Sequence, residues 1–292
     1  MSPDVLKAEA AALAADPRAL LAWYVEAGID VAIGTTAPDR TQAPEPPPLA
    51  VVPMSTPDRP AAPARPRPAF QPGPGGPPGG RAVAVPAGQA DAAHAAAQAT
   101  SLEALQKALT SFTGCPLKDT ATNTVFADGP VEAPVMVIGE APGADEDRLG
   151  LPFVGASGRL LDRMLASIGL DRRENCYITN ILPWRPPGNR KPDTTEVALC
   201  VPFIERHIAL KDPRLLILVG GLAAQTLFAE SAGITRLRGQ WRDYATPGLP
   251  GPVPALATFH PAYLLRSPEQ KRLAWRDLVA VRQKLDSLGL GG

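Results

Sequence analysis

The sequence has few cysteines, no long apolar run and no net charge. Three cysteines, at 115, 176 and 200 in 292 residues, cannot form the paired framework of a small secreted domain. They point instead to a reducing cytoplasm. The first residues carry no basic segment followed by an apolar run, so no export leader is expected. Nothing reaches the roughly eighteen apolar residues of a membrane span, which excludes a membrane partner on this reading. Formal charge is zero, yet Lys plus Arg against Asp plus Glu runs 7 to 9 over residues 1–100, 7 to 11 over 101–180 and 15 to 9 over 181–292. The basic surplus in the last third suits a polyanionic partner, and it equally suits an ordinary solvated surface.

Proline and glycine, by contrast, are abundant, at 35 and 26 residues. Sixteen of the prolines fall in residues 38–86, where runs such as PEPPP and PGPGGPPGG can sustain neither a helix nor a central strand. This segment reads as a disordered or polyproline-like tether, with recruitment of a proline-reading partner as its alternative. Before it, Leu13, Leu20, Leu21, Trp23, Tyr24 and Ile29 suggest a small helical hairpin broken at Pro17, a docking or packing element. After it, the Ala-rich stretch 90–110 reads as helical, with Ser101 as N-cap and Leu102, Leu105 and Leu109 on one face. The expected organisation is a helical segment at 1–34, a linker at 35–100 and one folded domain at 101–292.

Within that domain apolar runs at 135–138, 177–182, 215–219 and 255–259 alternate with helical patterns at 158–168, 194–209, 221–229 and 269–287. The alternation predicts an α/β fold: a three-layer α/β/α sandwich around a mostly parallel four-stranded sheet. Asp193 and Thr194 can cap the second helix, and Pro202 should kink it or restart it. The strand ends carry the polar residues. GEAPG follows the first, Thr179–Asn180 ends the second ahead of RPPGNRKP, and His260–Pro261 follows the last. One rim of the sheet therefore gathers Glu140, Asn180 and His260, where open α/β sheets place their ligands. Each alone has a plainer reading, as a solvated acid, a turn-forming amide and a structural histidine. No Gly-Lys-Ser/Thr follows GEAPG, which disfavours a nucleotide-triphosphatase loop.

The segments GEAPGADEDRLGLPFVGASGRLL, YITNILPWRPPGNRKP and HPAYLL, in that order, resemble the family 4 uracil-DNA glycosylases of the uracil-DNA glycosylase superfamily. The resemblance runs over residues 112–285 and leaves the first hundred unexplained. It implies a DNA repair enzyme of base excision repair that flips uracil out of single- or double-stranded DNA and hydrolyses its glycosidic bond, leaving an abasic site. By resemblance Glu140 orients water or stabilises the sugar cation, and His260 hydrogen-bonds the departing base. Asn180 reads the Watson–Crick edge, Phe153 stacks on the ring, and the amides near Gly139 and Gly143 bind base or phosphate. Leu264 would enter the duplex, with Arg266, Arg185, Arg190 and Lys191 on phosphates. The acidic run Asp145–Glu146–Asp147 would shape the pocket wall, with less weight than Glu140. No lysine in the motifs is an evident amine nucleophile, so the expected enzyme is monofunctional.

The family holds a [4Fe–4S] cluster on four cysteines, and here the equivalent positions read Phe112, Cys115, Trp184 and Cys200. The expectation is a lost cluster, no cofactor, and an apolar plug in its place. RPPGNRKP has no histidine, which disfavours the branch that crosslinks itself to DNA. Two other readings stay open: a non-catalytic DNA-binding protein on the same fold, and a glycosylase for another deaminated base such as hypoxanthine or xanthine. The chain is expected to act as a cytoplasmic monomer, with any protein partner met through its N-terminal helices or proline-rich linker.

Overall fold

The run Val135, Met136, Val137, Ile138 has no polar face, so a strand made of it must be covered on both sides. A computed structural model, describing residues 88–290, places it in the middle of a sheet. Strand β1 (Val135–Gly139) lies between β2 (Cys176–Asn180) and β3 (Leu215–Val219), parallel to both. Beyond β3 comes β5 (Val253–Thr258), also parallel. The edge strand β4 (Trp241–Tyr244) runs antiparallel to β5, giving the order β2-β1-β3-β5-β4. The four expected strands are present, and β4 is an addition. Its sequence, WRDY, buries only Tyr244, so it carries no apolar run by which a strand is read.

Alternation along the strands divides the core. Met136, Ile138, Leu216 and Leu218 face one cluster, and Val135, Val137, Leu215 and Ile217 face the other. The first cluster is closed by α1 (Gln89–Gln98), α2 (Leu102–Ser111), α6 (Thr194–Lys211) and α7 (Gly221–Phe228). The second is closed by α5 (Ala156–Ala166), α9 (Pro261–Arg266) and α10 (Lys271–Ser287). Short helices α3 (Leu117–Thr120), α4 (Ala144–Leu149) and α8 (Ile234–Leu237) occupy the connections. The result is the expected three-layer α/β/α fold. Among the described residues no helix is long and apolar enough to cross a membrane.

Two expectations about helices change. Pro202 sits inside α6 without ending it: the helix runs continuously for 18 residues. Its start is fixed by a reciprocal cap, Asp193 accepting from the Glu196 amide and Glu196 from the Asp193 amide, both at 2.8 Å. Nor does the folded unit wait until residue 101. Helix α1 buries Ala92 and Ala96 in the core, and the Arg206 guanidinium on α6 donates to the Ala99 carbonyl at 2.9 and 2.6 Å. Ser101 then caps α2 as expected, accepting from the Ala104 amide at 3.2 Å. The hairpin expected at 1–34 and the tether over 35–87 lie outside the described residues.

A chain starting at residue 101 should therefore melt several degrees lower than one starting at residue 88. Each 1 kcal/mol lost lowers Tm by roughly 2–4 °C in a domain of this size. Thermal unfolding followed by circular dichroism checks this, and equal midpoints for the two truncations would show that α1 adds nothing.

Candidate active site

The register of the sheet builds the site. Gly139 pairs with Asn180 across β1 and β2, and Val219 pairs with Thr258 across β3 and β5, so the carboxyl ends of four parallel strands finish at one rim. Strand order reverses between β1 and β3, which leaves a crevice at that rim. A cleft of about 580 Å³ lies there, lined among others by Glu140, Phe153, Asn180, Lys191, His260 and Arg266. The residues expected to do chemistry, from four separate loops, thus converge.

Gly139 makes that convergence possible. A Cβ on it would stand 2.4 Å from the Asn180 Oδ1 and 2.4 Å from the edge of the Phe153 ring, closer than any side chain can approach. Asn180 is 5% exposed, and its Oδ1 has no hydrogen-bond donor among the described residues. A buried amide oxygen left in that condition costs about 1–3 kcal/mol unless something donates to it. Phe153 adopts a φ of 54°, in the left-handed region that costs a residue with a Cβ roughly 1–2 kcal/mol. Its ring centroid lies 5.6 Å from that of His260.

His260 is held at the N-terminus of α9, where its Nδ1 accepts from the Ala262 amide at 3.1 Å. An accepting Nδ1 leaves the proton of a neutral ring on Nε2. Burial pushes its pKa down to about 4, with the Arg266 cation helping and Glu146 opposing. Gly220, at a φ of 106°, clears the space beside it, since a Cβ there would come 3.2 Å from the His260 Cβ. Glu140 is half-buried; desolvation raises its pKa above the usual carboxylate range, while Lys191 pulls it back.

Several expected roles change. The Gly143 amide donates to Glu146 Oε2 at 3.1 Å, so it is not open to a base or phosphate. Arg190 spends its guanidinium on Glu196, at 2.9 and 2.5 Å. Glu196 is 2% exposed, and freeing Arg190 for a phosphate would strand a buried carboxylate. Arg185 donates to Asn189 Oδ1 at 2.7 Å, while Lys191 is exposed at the cleft. Leu264 is 1% exposed and packs in the second core cluster, because it follows Pro261 by three residues on the inward face of α9. Leu265 points outward at 44% exposure.

Glu146 is the residue that sequence reasoning undervalued. Besides Gly143 it accepts from the Val154 and Gly155 amides, both at 2.9 Å, and so buckles the GEAPG turn to the loop carrying Phe153. Asp147 does the same for another segment, accepting from Thr122 and Asn123 at 2.8 and 3.1 Å. The acidic run is therefore largely internal scaffolding. Its one legible signal is that Glu146 falls three residues after a glycine N-cap, where an acid can turn back on the chain.

The geometry has its counterpart in known proteins. A family described as the uracil DNA glycosylase superfamily matches residues 126–279, which include every cleft residue discussed above. The chain belongs to the uracil DNA glycosylase superfamily. It is similar to the type-4 uracil-DNA glycosylase of Archaeoglobus fulgidus, 41% identical over 173 residues that cover 58% of this chain and 85% of that protein. The type-4 enzymes of Thermotoga maritima and Sulfurisphaera tokodaii are 35% and 34% identical, over 64% and 63% of this chain and 96% and 84% of their own lengths. The matched part covers most of each relative, and none of the three matches reaches beyond about two thirds of this chain.

At the four positions where the resemblance implies cluster cysteines, the structure places Cys115 and Cys200 as neighbours, both fully buried. Phe112 packs on Phe203, with ring centroids 5.2 Å apart. Trp184 is 1% exposed and donates from Nε1 to Thr124 Oγ1 at 3.0 Å. All four sit in the first core cluster. Two thiols and two aromatic rings do not supply the ligands of a cubane cluster, and the indole, the larger ring, already has its hydrogen-bond partner.

Nuclear magnetic resonance of histidine-labelled protein should find the His260 ring neutral down to near pH 4, protonated on Nε2 and not on Nδ1. A titration near the ordinary value of about 6.5 would contradict the burial and the Ala262 hydrogen bond.

Proposed function

We propose that the cleft binds a flipped uracil and that the chain removes it from DNA by direct hydrolysis of the glycosidic bond. The observation that carries this reading is the unpartnered Asn180 Oδ1, buried beside an aromatic ring and a neutral histidine. Uracil offers N3–H to such an acceptor, whereas cytosine offers a lone pair at the same place. Phe153 lies where it can stack on the ring and help hold the base. As the bond breaks, negative charge collects on the base oxygens, and the Nε2–H of a neutral His260 is a donor preorganised for one of them. Glu140, at the opposite lip, carries the negative charge that favours the sugar cation and can orient the attacking water. Its raised pKa reflects an environment from which bulk water is partly excluded.

Around the cleft, Lys191 and Arg266 are the cations available to backbone phosphates, and Leu265 takes the place of Leu264 as the side chain free to fill the gap left by the flipped base. Among the described residues Lys191, at the rim, is the only lysine lining the cleft, which supports hydrolysis over a lyase step. We infer further that this chain works without the iron–sulfur cluster, with Phe112 and Trp184 filling that volume. Three buried free thiols suit a cytoplasmic enzyme.

An oligonucleotide with a single uracil should yield alkali-cleavable abasic sites without added metal. Asn180→Ala and His260→Ala should each slow single-turnover cleavage by at least about tenfold, the low end of what a lost transition-state hydrogen bond costs. Measurable DNA binding with no cleavage would favour a non-catalytic protein on this fold, and preferential release of hypoxanthine or xanthine would reassign the base.

Protein purified anaerobically should be colourless and contain less than about one iron per chain. A brown protein with broad visible absorbance and about four irons would overturn the cluster assignment.

A further inference from the structure

The left-handed backbone at Phe153 does not hold itself. Phe153 stands between the cleft and a second depression of about 590 Å³, lined by Asp128, Asp162 and Arg172. From that outer side the Arg172 guanidinium donates to the Pro152 carbonyl at 3.1 Å and to the Phe153 carbonyl at 2.8 Å. It is itself fixed by Asp162 Oδ1 at 2.8 Å and Asp128 Oδ2 at 3.0 Å. The peptide joining Phe153 to Val154 thus has its oxygen on a cation and its N–H on the Glu146 carboxylate, at 2.8 and 2.9 Å. Gly158 completes the seat: a Cβ there would come within 1.8 Å of the Phe153 oxygen, so the carbonyl lies flat on the first turn of α5.

We propose that Arg172 is a positioning residue for base binding, clamping the two carbonyls so that the Phe153 ring is presented to the flipped base. The inference rests on the stacking role given to Phe153. A planar fork can reach two carbonyls and two carboxylates together, whereas the point charge of a lysine cannot. Nothing else among the described side chains donates to these two carbonyls in hydrogen-bond range. Because stacking is present both before and during bond cleavage, loosening the ring weakens substrate binding more than it slows the chemical step.

Arg172→Lys in the full chain should raise KM for a uracil-containing oligonucleotide about tenfold with kcat within about twofold, whereas a purely structural role would leave KM unchanged in the protein that remains folded. The decisive measurement is the same substitution in a Phe153→Ala background. If Arg172 acts through the ring, the double variant matches Phe153→Ala within about twofold, and a full additive rise in KM overturns the proposal. Asp162→Ala, a half-exposed partner of Arg172, gives a second route should Arg172→Lys fold poorly: a smaller KM rise, again absent without Phe153, supports the clamp, and an unchanged or additive KM refutes it. If Phe153→Ala itself leaves KM unchanged, the stacking role falls and takes this proposal with it. If Phe153→Ala raises KM while Arg172→Lys does not, the clamp alone falls.

Discussion

The close approach of two side chains over Gly139 is the constraint on which the cleft depends. Parallel pairing of β1 and β2 sets the Asn180 side chain beside the last residue of β1, and only a residue without a Cβ leaves room there for Phe153 as well. With the amide and the ring brought to contact over a bare backbone, the cleft has a floor, and Glu140 one residue later becomes its lip. His260 arrives from β5 by the same logic, its space cleared by Gly220. Two glycines at strand ends thus convert a sheet edge into a pocket. An open parallel sheet supplies such an edge in any α/β fold, and here the missing side chains decide what can lie on it.

Charge within the scaffold serves the same end. Glu146 and Asp147 face inward, where each accepts from backbone amides of a neighbouring loop, and Arg172 meets the carbonyls of the loop that Glu146 holds by its N–H groups. A loop with a left-handed phenylalanine at its apex is expensive to keep in one conformation. Opposite charges at the two ends of one peptide unit offset that expense without occupying the cleft. Burial at the cleft keeps His260 neutral and raises the Glu140 carboxyl.

Membership of the superfamily and the proposed absence of an iron–sulfur cluster sit together without conflict. The cluster-equivalent residues belong to the helical layer formed by α1, α2 and α6, while the cleft opens at the ends of β1, β2 and β5. Phe112, Trp184 and Phe203 close that layer by apolar packing.

Much of this was legible in the residues alone. Apolar runs without a polar face determined the four buried strands, because no other placement removes both sides of such a run from water. Three motifs in register named the family and singled out Glu140, Phe153, Asn180 and His260. What remained undetermined were matters of direction and partnership. Strand β4 was missed because WRDY has no face to bury except Tyr244. Leu264 and Leu265 are neighbours of the same type, and only the pitch of α9 against α5 sends one into the core and the other to solvent. Arg190 looked free for phosphate until Glu196, six residues on, proved to be buried and in need of it. The sequence by itself determined which chemical groups reach the rim, since strand ends follow from local pattern. The tertiary structure alone decided which of them are left without partners, because a hydrogen bond between distant segments, such as Glu146 to Val154 or Arg172 to Phe153, exists only once the layers have packed.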